Sequence, residues 1–560
     1  MKNASFRNAT IQAAAVLVLA MPLGSCAPRD PAMDAERITQ TVQVLSADDF
    51  AGRAPATEGE RKTVDYLIAQ LQAAKLQPGG DPLPSGGRAW TQDVPLVRSS
   101  VEGPLTFDIH AGRELLHWTQ GAEVTIRATQ TGAAQLQLQN APLVFIGYGI
   151  SAPERQWDDF KGIDLHGKVA LVLINDADFE SGVGDFGGRA MTYYGRWTYK
   201  YEELARRGAA GALVIHETAP ASYGWETVKN SNGGPVFDVV REDPRAQHPP
   251  LEAWIQRDAA ALLLQKAGQD FAALKAQAAT RDFKPVELKG VTLDVAFKVQ
   301  LQQVVSKNVV AVLPGSTRPE EWVLYTAHWD HLGVGTPDKD GDSIFNGAVD
   351  NAAGVAQVLE IARVFAHAPR TQRSMGFLFV TAEEQGLLGS EYYATHPLYP
   401  LAKTVADLNT DSPRPTAPSK DFLTAGDAAV TLQDLVAEVG QRFGRRHSPD
   451  PKPEAGLFYR SDHFSLAKRG VPAISYKSGN DLTEGGEAAG KAWIEAYDRD
   501  RYHQPNDEFD AKAWRSDGIA ADAALLYAVG RRLADSREWP EWKAGSEFKA
   551  IRDTTAAERQ

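Results

Sequence analysis

Three stretches decide the fold: Glu321–His331 (EWVLYTAHWDH), Asn351–Ala366 (NAAGVAQVLEIARVFA) and Ser374–Glu384 (SMGFLFVTAEE). The first and third are near-continuous apolar runs of strand length that end in polar, metal-ligating residue types. The middle stretch carries apolar residues at Val355, Val358, Leu359, Ala362, Val364 and Phe365, the spacing of a helix with a buried face. Asn308–Gly315 (NVVAVLPG) reads as a further strand ahead of them. Alternation of this kind predicts an α/β domain with a mostly parallel core sheet flanked by helices. Such sheets bind ligands beyond the carboxyl ends of their strands. His328, Glu383 and Asp411 all fall at or just past such ends.

Working outward, residues 36–50 and 60–76 show helical spacing on either side of a turn-rich loop, Ala51–Gly59 (AGRAPATEG). Residues 91–140 read as short strands, for example Leu105–Gly112 and Ala134–Gln139. A new unit begins near Ala141. Its strand-like runs, Ala141–Ile150 (APLVFIGYGI) and Gly167–Asp176 (GKVALVLIND), precede a helix, a glycine-rich turn and a strand within Lys200–Glu217. A second helical stretch, Asp258–Ala278, follows. With Gly147-Tyr148-Gly149, Asp164 and Gly167-Lys168, this succession resembles the protease-associated domain, a non-catalytic insert of several peptidase families. The expected organisation is an N-terminal part of the main domain over residues 35–140, a β-rich α+β insert over 141–290, and the remainder of the main domain over 291–540.

At 560 residues the chain is long enough for two or three cores. Its 72 acidic and 59 basic residues give a net charge of -13, which argues against nucleic acid as a partner. The start of the chain, MKNASFRNATIQAAAVLVLAMPLGSC, has basic Lys2 and Arg7, then an apolar segment from Ile11 to Leu23 interrupted by Gln12 and Pro22. That segment is short for a membrane span and right for a secretory signal over residues 1–25. Leu23-Gly24-Ser25-Cys26 resembles a bacterial lipobox, which implies cleavage before Cys26 and lipidation of its thiol. Cys26 is the single cysteine, so the processed chain has no free thiol for disulfides or cysteine catalysis. Ala27 rather than aspartate follows it, which implies an outer-membrane anchor with the body facing the periplasm.

The polar residues beyond the strands form an ordered series: His328 and Asp330, Asp350, Glu383 and Glu384, Asp411, and His503 in YHQPNDEFD. Singly, an aspartate at a strand end is a cap or turn residue, and a Glu-Glu pair is surface. Together, imidazoles and carboxylates converging on one crevice are the N/O donor set of zinc and its neighbours. In this order the series resembles the metallopeptidase family of the bacterial dinuclear zinc aminopeptidases and the glutamate carboxypeptidases. The resemblance implies two divalent ions, zinc first among them, bridged by Asp350. His328 and Asp411 complete one site, and Glu384 and His503 the other. Asp330 accepts from the far ring nitrogen of His328 and fixes its tautomer. Glu383, bound to no ion, is the general base toward the activated water and then the acid toward the leaving amine. If the backbone there is extended, Glu383 and Glu384 point in different directions, as two such roles require. His331 is expected beside the site and not as a ligand.

Tyr459, in GLFYRSDHFSLAKRG, resembles a residue at the family's active-site rim, where its hydroxyl would donate to an oxyanion; packing on its own loop is the competing reading. The function implied is a zinc exopeptidase acting on peptide or amino-acyl substrates, an aminopeptidase first. A glutamate-carboxypeptidase-like enzyme, a glutaminyl cyclase and a receptor-like binding protein remain as alternatives. Holding a free ammonium needs acids or carbonyls, and holding a carboxylate needs arginine or lysine. Glu454, Arg460, Lys477 and Arg499 supply both kinds, and the sequence does not place them.

Overall fold

The structure, a computed structural model, describes Met1 and residues 32–335, 337–426 and 429–559. The expected signal segment and Cys26 lie outside these residues. Among the described residues, no helix is long and apolar enough to cross a membrane.

Helix α1 (Ala35–Leu45) starts at Asp34, whose carboxylate accepts from the amide of Arg37 at 3.0 Å. Helix α2 (Glu58–Ala73) starts at Thr57, whose hydroxyl accepts from the amide of Glu60. Both are side-chain caps that satisfy amides the helix leaves unpaired. The sheet is built from β1 (Thr91–Ala111), β2 (Gln135–Phe145), β3 (Val169–Leu173), β4 (Gly211–His216), β5 (Leu251–Gln256), β6 (Val286–Leu313), β7 (Arg318–His328), β8 (Arg373–Val380), β9 (Thr404–Thr410), β10 (Asp421–Thr424) and β11 (Ala473–Ser478). One half runs β10-β11-β9-β7-β8-β6. Within it β11, β9, β7 and β8 are mutually parallel, and β10 and β6 close the two sides antiparallel. The other half runs β6-β2-β3-β4-β5, with β2 to β5 parallel. The α/β architecture with a largely parallel core is as the alternation of strands and helices predicts.

Strand β6 belongs to both halves. Val309–Leu313 pair with β8, whereas Val295–Lys298 pair with β2. On its other edge β6 pairs with β1 from Val291↔Ala111 to Val309↔Thr91, overlapping both segments, so one antiparallel ribbon connects the two cores. The first core gathers α1, α2, the β7–β9 strands and the helices α4 (Gly354–His367) and α5 (Asp517–Asp535). Phe107, Ile109, Trp118, Ile126 and Leu136 pack instead with β2 to β5 in the second core, together with Leu293 and Val295.

That distribution corrects the expected boundary near Ala141, because the far end of the ribbon buries its apolar face against the insert. Of the short strands expected in residues 91–140, Leu105–Gly112 covers the end of the 21-residue strand β1, whereas Glu114–His117 and Val124–Ile126 are short and Ala134–Gln139 opens β2. Gly103 and Pro104 lie inside β1, where the register shifts opposite Ala296 and Lys298 at a bulge. Helix α3 (Trp197–Arg206) flanks the insert's sheet, and the loop before it docks on the first core: the Met191 amide donates to the carbonyl of Pro453 at 3.1 Å.

Candidate metal centre

Parallel pairing aligns the carboxyl ends of β7, β8 and β9, with Thr326 opposite both Leu378 and Asn409. His328 is therefore the last residue of β7, Asp411 follows β9 directly, and Glu383 and Glu384 lie just past β8. Asp350 enters from the segment Ala348–Ala353, which runs into α4 and whose Asp350–Asn351 peptide bond is cis. His503 enters from the far side, with a left-handed backbone (φ 56°).

Two triangles of ligand atoms result. In the first, His328 Nε2 lies 3.3 Å from Asp350 Oδ1 and 3.6 Å from Asp411 Oδ1. In the second, His503 Nε2 lies 3.4 Å from Asp350 Oδ2 and 3.1 Å from Glu384 Oε2. Zinc–ligand bonds of about 2.0–2.1 Å in a tetrahedral site put ligand atoms about 3.3 Å apart. The edges that meet at each histidine fit that length, and the two oxygens of Asp350 face one triangle each. The charge also fits: Asp330, Asp350, Glu383, Glu384 and Asp411 crowd together, buried or nearly so, and among the described residues Lys477 is the one permanently charged cation in contact (3.4 Å from Asp411). An excess of buried carboxylates is strongly unfavourable without cations to compensate it.

His331 is the surprise of the site. Its Nδ1 lies 2.6 Å from Glu384 Oε1, and it forms a possible cation-holding group with Asp350 and Glu384. A separation of 2.6 Å is a hydrogen bond and too short for an edge between two zinc ligands. The geometry thus gives Glu384 two imidazoles with different roles: His331 donates to one oxygen, while His503 faces the other at ligand spacing.

Electrostatics separates the two glutamates. Burial works against the ionised form of Glu384, but His503 and His331 hold it down at about 2. Burial pushes Glu383 well above the usual carboxyl range; His328 opposes this, and Glu384, Asp462 and Asp411 reinforce it. For Asp350, burial is outweighed by His328 and His503, which hold it well below the ordinary value. One carboxylate ready to take a proton thus sits beside others kept ionised, the division that acid–base chemistry at a metal centre needs. Glu383 Oε2 is 4.0 Å from His328 Nε2, outside either triangle.

Three expectations change. Asp330 does not hold His328 through its carboxylate: His328 Nδ1 is 3.2 Å from the Asp330 carbonyl and 3.7 Å from Oδ1. The carboxylate accepts instead from the amides of Glu383 (3.0 Å) and Glu384 (3.4 Å), and so fixes the turn that carries them. The divergence of the pair comes from that turn and not from strand alternation. Strand β8 has ended, Ala382 is left-handed (φ 53°), and the Glu383 carbonyl accepts from Gly386. Tyr459 is not an oxyanion donor here; its hydroxyl donates to Glu547 at 2.9 Å, and its ring packs on Phe458, Phe464 and Tyr193.

Other supporting residues went unread in the sequence. Arg53, in the loop between α1 and α2, is buried and donates to the carbonyls of Leu45, Trp329, Asn346 and Gly347, which ties the His328 and Asp350 segments together. Asp507, four residues after His503, accepts from the amides of Val349 and Asp350 and fixes the bridging segment. Burial raises its carboxyl to about 6 against those amide donors. A strand-end pattern gives no signal for either. The motif RYHQPND does place an acid near His503, which was the available hint for Asp507.

Residues 308–528 match the model of peptidase family M28. His328, Asp350, Glu383, Glu384, Asp411 and His503 all lie in that segment, which is where the chain is similar to the family. The chain is 43% identical over 87 residues to a "Probable zinc metalloprotease" of Pyrenophora teres f. teres, a match spanning 16% of this chain and 18% of that protein. It is 30% identical over 206 residues to the "Probable lipoprotein aminopeptidase LpqL" of Mycobacterium tuberculosis, spanning 34% of this chain and 40% of that one. Each match thus spans less than half of the relative's length. An aminopeptidase from Aneurinibacillus sp. strain AM-1 shares the fold, with 20% identity, a TM-score of 0.51 and coverage of 90% of this chain and 95% of its own.

Proposed function

We propose that the chain is a dizinc exopeptidase of the M28 type that releases N-terminal residues from peptides. The observation that carries this reading is the pair of ligand triangles sharing Asp350, with Glu383 beside them and in neither. His328, Asp350 and Asp411 would hold one cation, and Asp350, Glu384 and His503 the other. Cations held there supply Lewis-acid polarisation of a carbonyl and acidify water. Glu383 takes the proton from the attacking water and returns it to the departing amine. Asp330 keeps Glu383 in place through its amide, and Asp507 does the same for Asp350. The names of the LpqL relative and of the Aneurinibacillus structure support the aminopeptidase direction.

The test is hydrolysis of amino-acyl amides and of amino-blocked and carboxyl-blocked peptides, with elemental analysis of the purified chain. About two zinc ions per chain and chelator-sensitive release of N-terminal residues are expected. Activity that survives complete removal of metal ends the proposal. The export reading, a lipid on Cys26 at the outer membrane facing the periplasm, is tested by Cys26→Ser, which should move the protein from the membrane fraction to the soluble one.

A further inference from the structure

Seven arginine side chains are buried among the described residues, and six of them donate to carbonyl or carboxylate oxygens. Arg196 is the exception. It is 8% exposed, its Nε has no partner, and neither a hydrogen bond nor an ion pair reaches its guanidinium among the described residues. The chain has 72 acidic residues to choose from, yet the charge that acts most strongly on Arg196 is another arginine, Arg460. The guanidinium of Arg460 likewise makes no hydrogen bond or ion pair among the described residues and lies 5.5 Å from the ring centre of Tyr223. Two guanidiniums that repel each other, the one buried and the other half-buried, and neither paired with an anion, are unfavourable in the free protein. Burial and the charge of Arg460 lower Arg196 to about 10.

The location gives the pair a purpose. Arg196 opens α3 of the insert, and Arg460 follows Tyr459 in the peptidase core. The insert loop between them is docked on that core, with Tyr193 packed 5.3 Å from Phe464 and 6.2 Å from Tyr459. Tyr502 lies within electrostatic reach of both arginines, and its ring stacks 4.0 Å from that of His503. The unpaired cations therefore act on the ring that stacks on His503 of the proposed second metal site.

We propose that Arg196 and Arg460 form an anion subsite, built jointly by the insert and the peptidase core, that receives a substrate carboxylate beside the reacting bond. Planar guanidiniums bind carboxylates through paired, charge-assisted hydrogen bonds, which matches a short peptide better than a long one. This rests on the peptidase reading above and narrows its substrates to short peptides with a carboxylate close to the scissile bond. That carboxylate is either the C-terminus or an acidic side chain.

Binding tests it without turnover. The zinc-loaded full chain is titrated calorimetrically with reduced-bond analogues of Leu-Gly and Leu-Gly-amide, and of Leu-Asp-amide and Leu-Asn-amide. In the wild type, the free acid of one pair should bind ~10–100-fold more tightly than its uncharged partner, the range for losing a charged hydrogen-bond partner. The first pair identifies a C-terminal carboxylate and the second a side chain. Arg196→Met, and separately Arg460→Met, should reduce that preference to less than about threefold while leaving the uncharged analogue's affinity unchanged. Equal affinity for acid and uncharged partner in both pairs overturns the proposal, even if neither variant folds. A preference that persists in both variants overturns it too. Chelator-sensitive hydrolysis of amino-acyl amides with no carboxylate preference would leave the peptidase reading intact and remove only this subsite.

Discussion

Two buried charge networks differ in their balance. At the candidate metal centre five carboxylates face imidazoles and, among the described residues, a single lysine. Across the junction of insert and core, acids and bases match. Arg127 pairs with Glu252 and His248 bridges Glu252 (2.8 Å) and Asp238 (3.1 Å). Arg241 then joins Asp238 (2.8 Å) to Glu391 (2.7 Å). The balanced network is complete and holds two parts of the chain together. The unbalanced one is complete only with cations. The Arg196–Arg460 pair has the opposite imbalance, an excess of positive charge, and is the counterpart expected where an anion binds.

The largest effect expected is at the unbalanced network. Glu383→Gln should lower kcat by ~10²–10⁴-fold while elemental analysis still finds both ions, because Glu383 belongs to neither triangle. If the variant loses an ion, Glu383 is a ligand and the contrast between the two glutamates collapses. In the balanced network, Arg241→Met leaves Asp238 and Glu391 facing each other's side of the junction without their shared cation. Denaturant unfolding should show a loss of about 2–3 kcal/mol with little change in metal content. No loss would mean that the junction is held by packing alone. The choice between imidazoles comes next. His331→Asn should weaken zinc by ~10–100-fold through Glu384, as loss of a ligand's hydrogen-bond partner does. His503→Asn should abolish the second ion. The reverse ranking makes His331 the ligand.

How far the sequence carried this is uneven, for physical reasons. Strand and helix alternation is a period that a window of residues reveals, so β7, α4 and β8 and the positions of His328 and Glu383 were legible. Ordered ligands were legible because parallel strands expose their carboxyl ends on one side. Side-chain-to-backbone hydrogen bonds have no period. Nothing in AGRAPATEG announces that Arg53 reaches four carbonyls, two of them more than 290 residues away. Strand β1 was hidden by Gly103-Pro104, since a bulge and a break look alike in sequence. Tyr459 illustrates motif likeness without geometry: the residue is where the pattern puts it, but its hydroxyl turns to Glu547.

The smallest effect expected is also the sharpest test of balance. Burial works against the charged form of His248, but Glu252 and Asp238 raise it to about 9, against 6.5 for an unperturbed imidazole. A pKa raised in the folded state contributes stability that is fully present below 6.5 and disappears as pH rises through about 9. Asp238 is lowered and does not titrate in that window, and Arg241 stays charged throughout it. The pH dependence across pH 6.5–9 is therefore assigned to the histidine. His248→Asn should cost about 1–2 kcal/mol of unfolding free energy at pH 6, measured against the wild type, and much less at pH 10. A gap that stays constant or widens with pH would show that the imidazole is neutral in the folded chain. The network would then carry one acid in excess, and the distinction between a closed structural network and an open functional one would fail at its simplest member.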